Sequence, residues 1–216
     1  MTIAAVIVAA GRGLRVGGPV PKQYRIVAGR ALLAHTLKAA LGCRRLDRVV
    51  VAIGAGDAPA YAAAIAGIED PRLAEPVTGG ATRAESVRAA LEALAGDPPA
   101  TVLVHDAARP FAPAALWERL IDAVADGATG AIAAEPVADA LWRETPEARE
   151  PLADTPVPRA GLWRAQTPQA FPFGPLLDAH RADADAAGTP ALDDAEVYRR
   201  AGHPVRLIAG FPANVK

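Results

Sequence analysis

The sequence predicts an α/β fold: a mostly parallel, twisted sheet with helices on both faces and a protruding β-arm. Three observations lead there. Short runs rich in Val, Ile and Ala alternate with Ala/Leu-rich amphipathic stretches, the pattern of a sheet layered between helices. A glycine-rich loop directly follows the first apolar run, where open α/β sheets place their ligands. Finally, segment 138–159 interrupts the alternation with Pro146, Pro151, Pro156 and Pro158 among charged residues.

In chain order, strands are expected at 3–9, 48–53, 73–77, 101–105, 130–136 and 205–209. Helices are expected at 31–41, 59–66, 82–95, 113–125, 174–187 and 194–201. The run at 3–9 is far shorter than the roughly 20 residues a membrane helix needs, and no basic stretch precedes it, so it reads as a strand. Helix 82–95 opens on Thr82, followed three residues later by Glu85, a capping box that satisfies amide donors of the first turn. Helix 194–201 opens on Asp193-Asp194, carboxylates suited to the positive end of a helix. In 138–159 the short apolar runs 140–142 and 152–153 suggest a two-stranded ribbon. Alone, such a ribbon is marginal in water, so a second subunit is expected to support it; the plainer alternative is a surface loop.

Composition bounds the remainder. The 216 residues are 51% hydrophobic and 22% charged with a net charge of -1, which fits one compact domain spanning 1–216 and excludes disorder. A chain of this length buries roughly 70% of its unfolded surface, enough for a core without metals or cross-links. The single thiol, Cys43, cannot form an internal disulfide and points to a reducing, cytoplasmic compartment. Neutral charge argues against nucleic acid as a partner, and no stretch suits a membrane. Yet no acidic residue precedes Asp47, whereas Arg12, Arg15, Lys22, Arg25, Arg30, Lys38, Arg44 and Arg45 do. A solvated basic face explains the later ones. Arg12, Arg15 and Lys22 lie in the glycine-rich loop and call for another reason.

That loop begins Ala9-Ala10-Gly11-Arg12-Gly13-Leu14-Arg15 and ends Pro21-Lys22-Gln23-Tyr24. Glycines let backbone amides approach phosphate oxygens without a Cβ in the way. A dinucleotide fingerprint fails here, because Val16 stands where the third glycine belongs. A P-loop fails too, since Lys22 is flanked by Pro21 and Gln23. What remains is a loop long enough to wrap a triphosphate and bearing Arg15 and Lys22 as cations, as phosphoryl transfer demands. Asp106, just past the expected strand 101–105, is a hard carboxylate suited to Mg²⁺ against triphosphate oxygens, or alternatively a helix cap. His105 reads as a packing or hydrogen-bonding residue. Trp117, Trp142 and Trp163 read as packing residues.

The loop motif is joined by Gly79-Gly80 with Arg83 and Ser86-Val87, by His105-Asp106-Ala107-Ala108-Arg109-Pro110 and by Gly161-Leu162-Trp163 with Gln166-Thr167-Pro168-Gln169. Asp193-Asp194-Ala195 and Asn214-Val215-Lys216 complete the series. In this order the motifs resemble the 2-C-methyl-D-erythritol 4-phosphate cytidylyltransferases over essentially the whole chain. The resemblance implies a Rossmann-like nucleotidyltransferase fold and transfer of CMP from CTP to methylerythritol phosphate, with Mg²⁺ at Asp106. It implies Arg15, Lys22, Arg159 and Lys216 as catalytic groups. Ala9, Ala10, Gly11, Gly13, Gly79, Gly80 and Ser86 would meet the nucleotide; Arg109, Arg159 and Lys216 would meet the acceptor. It further implies a homodimer in which Arg159 acts across the interface. The family continues beyond the position of Lys216, so this chain is expected to be truncated or the N-terminal part of a longer protein, as in fusions to methylerythritol cyclodiphosphate synthase. Three departures stand out: Ala81 and Ala213 at positions often acidic, and Ala140 in place of a Thr. Ala140 keeps ribitol 5-phosphate or another polyol phosphate open as acceptor. A nicotinamide-dependent oxidoreductase with Asp57 on ribose and a non-catalytic nucleotide-binding protein are the more distant alternatives.

Overall fold

The computed structural model describes residues 1–11, 20–147, 149–186 and 189–216. Gly13 and Arg15, two of the expected site residues, lie outside the described residues. The chain runs β1 (Ile3–Ala9), a 3-10 turn (Lys22–Tyr24), β2 (Ile26–Val27), β3 (Arg30–Ala31), α1 (Leu32–Leu41), β4 (Arg48–Ile53) and α2 (Ala58–Ile65). It continues through β5 (Val77–Thr78), α3 (Arg83–Leu94), β6 (Thr101–Asp106), α4 (Ala114–Ala125), β7 (Ala131–Pro136), β8 (Leu141–Glu144) and β9 (Ala153–Val157). β10 (Trp163–Pro172), α5 (Phe173–Asp185), α6 (Asp194–Arg200) and β11 (Arg206–Ala209) complete it.

Seven strands form one sheet in the order β11-β7-β10-β6-β1-β4-β5. All neighbouring pairs are parallel except those of β10, which runs antiparallel between β6 and β7. From β1 the chain steps outward through β4 to β5, then returns to the other side of β1 as β6. Strand order thus reverses between β1 and β6, and the crevice outside their carboxyl ends is the switch point where such sheets bind ligands.

Successive strand side chains face opposite sides, so a strand covered on both faces must be apolar at every position. β1 obeys: Ile3, Ala5, Ile7 and Ala9 pack with Leu33 and Leu37 of α1 and Leu116 and Leu120 of α4. Ala4 and Val6 pack on the other face with Val87, Leu91 and Leu94 of α3, Leu176 of α5 and Tyr198 of α6. The α3 set is spaced at helical intervals, which turns one stripe of that helix onto the sheet.

Two expectations need correction. The strand at 73–77 shrinks to β5 plus a lone bridge from Leu73 to Val49, because Pro76 has no amide to donate to the ladder. β10 lay outside the expected strands altogether, since its Gln166-Thr167-Pro168-Gln169 centre is polar and carries a proline; its pairing with β7 shifts register between Ala165 and Gln169. The arm is a ribbon, as expected: β8 and β9 pair antiparallel, with Leu141 opposite Val157 and Trp142 opposite Pro156. No helix among the described residues is long and apolar enough to cross a membrane.

Candidate active site

The loop after β1 is closed at its base by Gln23. Its buried amide donates to the carbonyls of Ala9, at 2.6 Å, and Gly11, at 3.1 Å. This clasp returns the chain to the end of β1 and puts Lys22 beside the crevice. Ala9 is buried at the strand end, while Gly11 is exposed with open space around its Cα. Val8 is in register with Asp106 across the β1–β6 ladder, so the loop's origin and Asp106 share one edge of the sheet.

Asp106 ends β6 and is nearly buried. Among the described residues, three cations face its carboxylate: Lys216 Nζ at 2.8 Å and Arg109 Nε at 3.5 Å on Oδ2, and Arg83 Nε at 3.3 Å on Oδ1. Burial alone would raise this carboxyl's pKa, but Arg83 and Lys216 outweigh it and hold the group far below the usual carboxylate range. It is therefore an anion at any physiological pH. The side chain is spent on these cations rather than on the following turn, where Arg109 N–H donates to the Asp106 backbone carbonyl.

The backbone of Asp106 is fixed from behind. Its N–H donates to Thr167 Oγ1 at 3.0 Å, and that hydroxyl lies 2.9 Å from His105 Nδ1. His105 Nε2 lies 3.0 Å from the Arg109 carbonyl, which only accepts, so Nε2 carries the proton and Nδ1 accepts from Thr167. The ring is fully buried against Trp117, at a centroid distance of 4.9 Å. Burial pushes its pKa down to about 4, which keeps it neutral, and its ring packs and hydrogen-bonds as expected.

Gly79 and Gly80 follow β5 and precede α3. A Cβ on Gly79 would stand 2.6 Å from Ser86 Oγ and 2.8 Å from Ala10 Cβ, so only glycine lets this turn close on the loop after β1. Ser86 is buried, not solvent-facing, and donates to the Thr82 carbonyl at 2.8 Å. Half of the capping box forms as expected: Thr82 Oγ1 accepts from Glu85 N–H. The Glu85 carboxylate accepts from Ala81 N–H instead of closing the box on Thr82.

Lys216 is held by the segment before it. Asn214 is fully buried; its side-chain amide donates to the Thr167 carbonyl at 2.8 Å and to Gln166 Oε1 at 3.2 Å, and its backbone carbonyl accepts from Arg109 at 2.8 Å. Gln166 also bonds the Phe211 backbone at both N–H and C=O. Arg159 is not part of this cluster. It lies at the root of the arm, with its guanidinium on the Ala138 carbonyl. Of the tryptophans, Trp117 packs in the core, whereas Trp142 and Trp163 stand 58% and 43% exposed on and beside the arm, which corrects the packing role expected of them.

The structure thus unites Ala9, Ala10, Gly79, Gly80 and Ser86 on one side of the crevice and Asp106, Arg109 and Lys216 on the other. Sequence reasoning left Gln23, Thr167 and Asn214 without a role, and treated Arg83 only as part of a motif. It read Asp193 and Asp194 alike as carboxylates at the start of a helix. In the structure Asp193 is the cap of α6, accepting from Glu196 N–H at 2.9 Å. Asp194 is wholly buried, paired with Arg83 at 2.7 Å and His180 at 3.1 Å. Residue type alone does not separate these two roles, which is why the signal was ambiguous.

Residues 3–216 match the family model described as IspD: 2-C-methyl-D-erythritol 4-phosphate cytidylyltransferase. The chain belongs to the IspD family. A bifunctional IspD/IspF enzyme of Novosphingobium aromaticivorans is 50% identical over 98% of this chain and 52% of its own length. A 2-C-methyl-D-erythritol 4-phosphate cytidylyltransferase of Cereibacter sphaeroides is 46% identical over all of this chain and 91% of its own. Among solved structures, the 2-C-methyl-D-erythritol 4-phosphate cytidylyltransferase of Thermus thermophilus superposes with a TM-score of 0.76 at 34% identity, covering all of this chain and 92% of that one. The chain spans about half the length of the bifunctional relatives that it matches. IspD membership agrees with the α/β nucleotidyltransferase fold expected from the motifs.

Proposed function

We propose that this chain transfers CMP from CTP to 2-C-methyl-D-erythritol 4-phosphate, giving 4-diphosphocytidyl-2-C-methyl-D-erythritol and pyrophosphate. The observation that carries this reading is the gathering of the Lys22 turn, Asp106 and Lys216 at the carboxyl ends of β1 and β6. An oxygen of the acceptor phosphate attacks the α-phosphorus of CTP; the new P–O bond forms as the bond to the β-phosphate oxygen breaks, and pyrophosphate departs in line. Negative charge accumulates on the transferring group, and Arg15 and Lys22 stabilise it there, each worth on the order of 10² to 10³ in kcat. The attacking oxygen is already an anion, so no general base is required, in keeping with a neutral, buried His105.

The Asp106 carboxylate would hold a magnesium ion on Oδ2 once Lys216 turns from that oxygen. It is one ionised carboxylate at the crevice, and Mg²⁺ commonly uses one or two carboxylates together with substrate phosphates. No group of three or more His, Cys, Asp or Glu side chains among the described residues offers a self-sufficient metal cage. When bound, the ion supplies charge neutralisation at the triphosphate. Lys216, on a flexible stem and 37% exposed, is the cation free to turn from Asp106 towards the acceptor phosphate, with Arg109 beside it. The Gly79-Gly80 turn and Ser86 bound the cytosine side of the crevice.

The arm is read as the contact with a second copy, through which Arg159 reaches the acceptor phosphate in the partner's site. Trp142 and Leu152, exposed on the arm, favour it. In the whole protein, fusion to a methylerythritol cyclodiphosphate synthase is the corresponding proposal, and the single buried thiol of Cys43 suits a reducing cytoplasm.

The test is pyrophosphate release by the full chain with Mg²⁺, each of CTP, ATP, GTP and UTP, and either methylerythritol phosphate or ribitol 5-phosphate. Turnover with CTP and methylerythritol phosphate alone is expected. Preference for ribitol 5-phosphate, which Ala140 leaves open as the second reading, would overturn the acceptor assignment.

A further inference from the structure

Arg83 is the first residue of α3, where the positive end of the helix disfavours a cation. It is nevertheless held there by two carboxylates. One of its terminal nitrogens stands 2.7 Å from Asp194 Oδ2, and its Nε stands 3.3 Å from Asp106 Oδ1. Asp194 is the first residue of α6, a position that favours an anion, and its second oxygen lies 3.1 Å from His180 Nε2 in the middle of α5. Asp194 and His180 are both buried and have no place in the transfer step derived above. Arg83 pulls the Asp194 carboxyl down to about 2 against its burial, with His180 assisting, so Asp194 is a permanent charge.

From this geometry we infer that Asp194 and His180 are positioning residues that act on the reaction through Arg83. This rests on the cytidylyl-transfer reading. The shorter contact is the buried one, so the guanidinium is anchored from behind by Asp194 and presented to Asp106 at a fixed height. His180 occupies the other oxygen of Asp194 and stops that carboxylate from turning. Helices α3, α5 and α6 are thereby linked, through one chain of polar contacts, to the carboxylate at the end of β6. The cation beneath Asp106 balances its charge without consuming Oδ2, which remains for Lys216, Arg109 and the ligand side of the crevice.

A double-mutant cycle tests this, with kinetics in CTP, Mg²⁺ and methylerythritol phosphate and the thermal midpoint of each protein. Asp194→Asn is expected to lower kcat 10- to 100-fold while KM for CTP changes less than threefold. In an Arg83→Gln background the same change should leave kcat within twofold and raise the midpoint, because it removes a buried carboxylate that has lost its guanidinium partner and keeps only His180. Arg83→Lys keeps the charge but cannot fork between two carboxylates, and should resemble Asp194→Asn rather than the parent chain. Should Asp194→Asn fail to fold, His180→Leu serves in its place, with a loss of three- to tenfold that again vanishes in the Arg83→Gln background. Equal losses in both backgrounds, or unchanged kcat in the single variants, would overturn the inference in an active parent chain. A parent chain that releases no pyrophosphate from CTP would overturn the functional reading beneath it.

Discussion

Replacing His105 with Gln isolates one proton in the stability of the fold. The imidazole is fully buried, with its two nitrogens committed to Thr167 and to the Arg109 carbonyl, and burial pushes its pKa from the ordinary 6.5 down to about 4. Between those values the unfolded chain binds a proton that the native chain refuses. Stability therefore rises with pH across this window: the contribution is complete above about pH 6.5 and is lost as pH falls towards 4. Between pH 7 and pH 4.5 the loss amounts to about 2.5 kcal/mol. The buried carboxylates do not blur this reading, since Asp194 and Asp106 are held at about 2 and lower and titrate beneath the window. Urea unfolding at a series of pH values should show the parent chain losing about 2.5 kcal/mol more than His105→Gln over that range. Parallel pH profiles for the two proteins would refute the argument. The variant's kcat should show no lost basic limb, because the ring touches no reacting atom.

Asn214→Ala deletes donors to the Thr167 carbonyl and Gln166 Oε1 in a fully buried place and should cost about 2–4 kcal/mol in chemical denaturation. Its kcat should fall at least tenfold because Lys216 loses its anchor, and an unchanged kcat would show that the lysine needs none. Gly79→Ala puts a methyl 2.6 Å from Ser86 Oγ and 2.8 Å from Ala10 Cβ, so titration calorimetry should find CTP bound at least tenfold more weakly. Lys22→Ala should reduce kcat by about 10² to 10³ with little change in the thermal midpoint, measured by pyrophosphate release.

The parallel strands were legible because a strand buried on both faces must be apolar through its buried stretch, as β1 is along its whole length, β4 is from Val49 to Ile53 and β6 is from Val102 to Val104. β10 was hidden for the opposite reason. Its central residues serve neighbours rather than the core: Gln166 and Thr167 hold Asn214 and His105, and Gln169 donates to Asp193 at 2.9 Å. A strand whose side chains build a site does not carry the pattern of a strand that builds a core. Asp106 and Lys216 were legible by motif. The groups that hold them were not, since Gln23, Asn214 and Arg83 find their partners across 12 or more residues of chain, through contacts no local spacing encodes.

The direction of β10 also explains where the arm stands. β7 ends at Pro136, which lies opposite Trp163 at the start of β10, while Pro172 at its end lies opposite Thr101 at the start of β6. A parallel strand between β6 and β7 would have to begin at their amino ends, and the chain would cross the whole sheet to reach it. The antiparallel strand begins instead at the carboxyl edge that carries Asp106. Segment 138–159 therefore leaves and rejoins the sheet on the rim of the crevice, closed at its root by Val137 N–H on the Leu162 carbonyl. One reversed strand sets the root of the arm at the rim of the crevice, and its Gln166 and Thr167 hold the segment that carries Lys216 to Asp106.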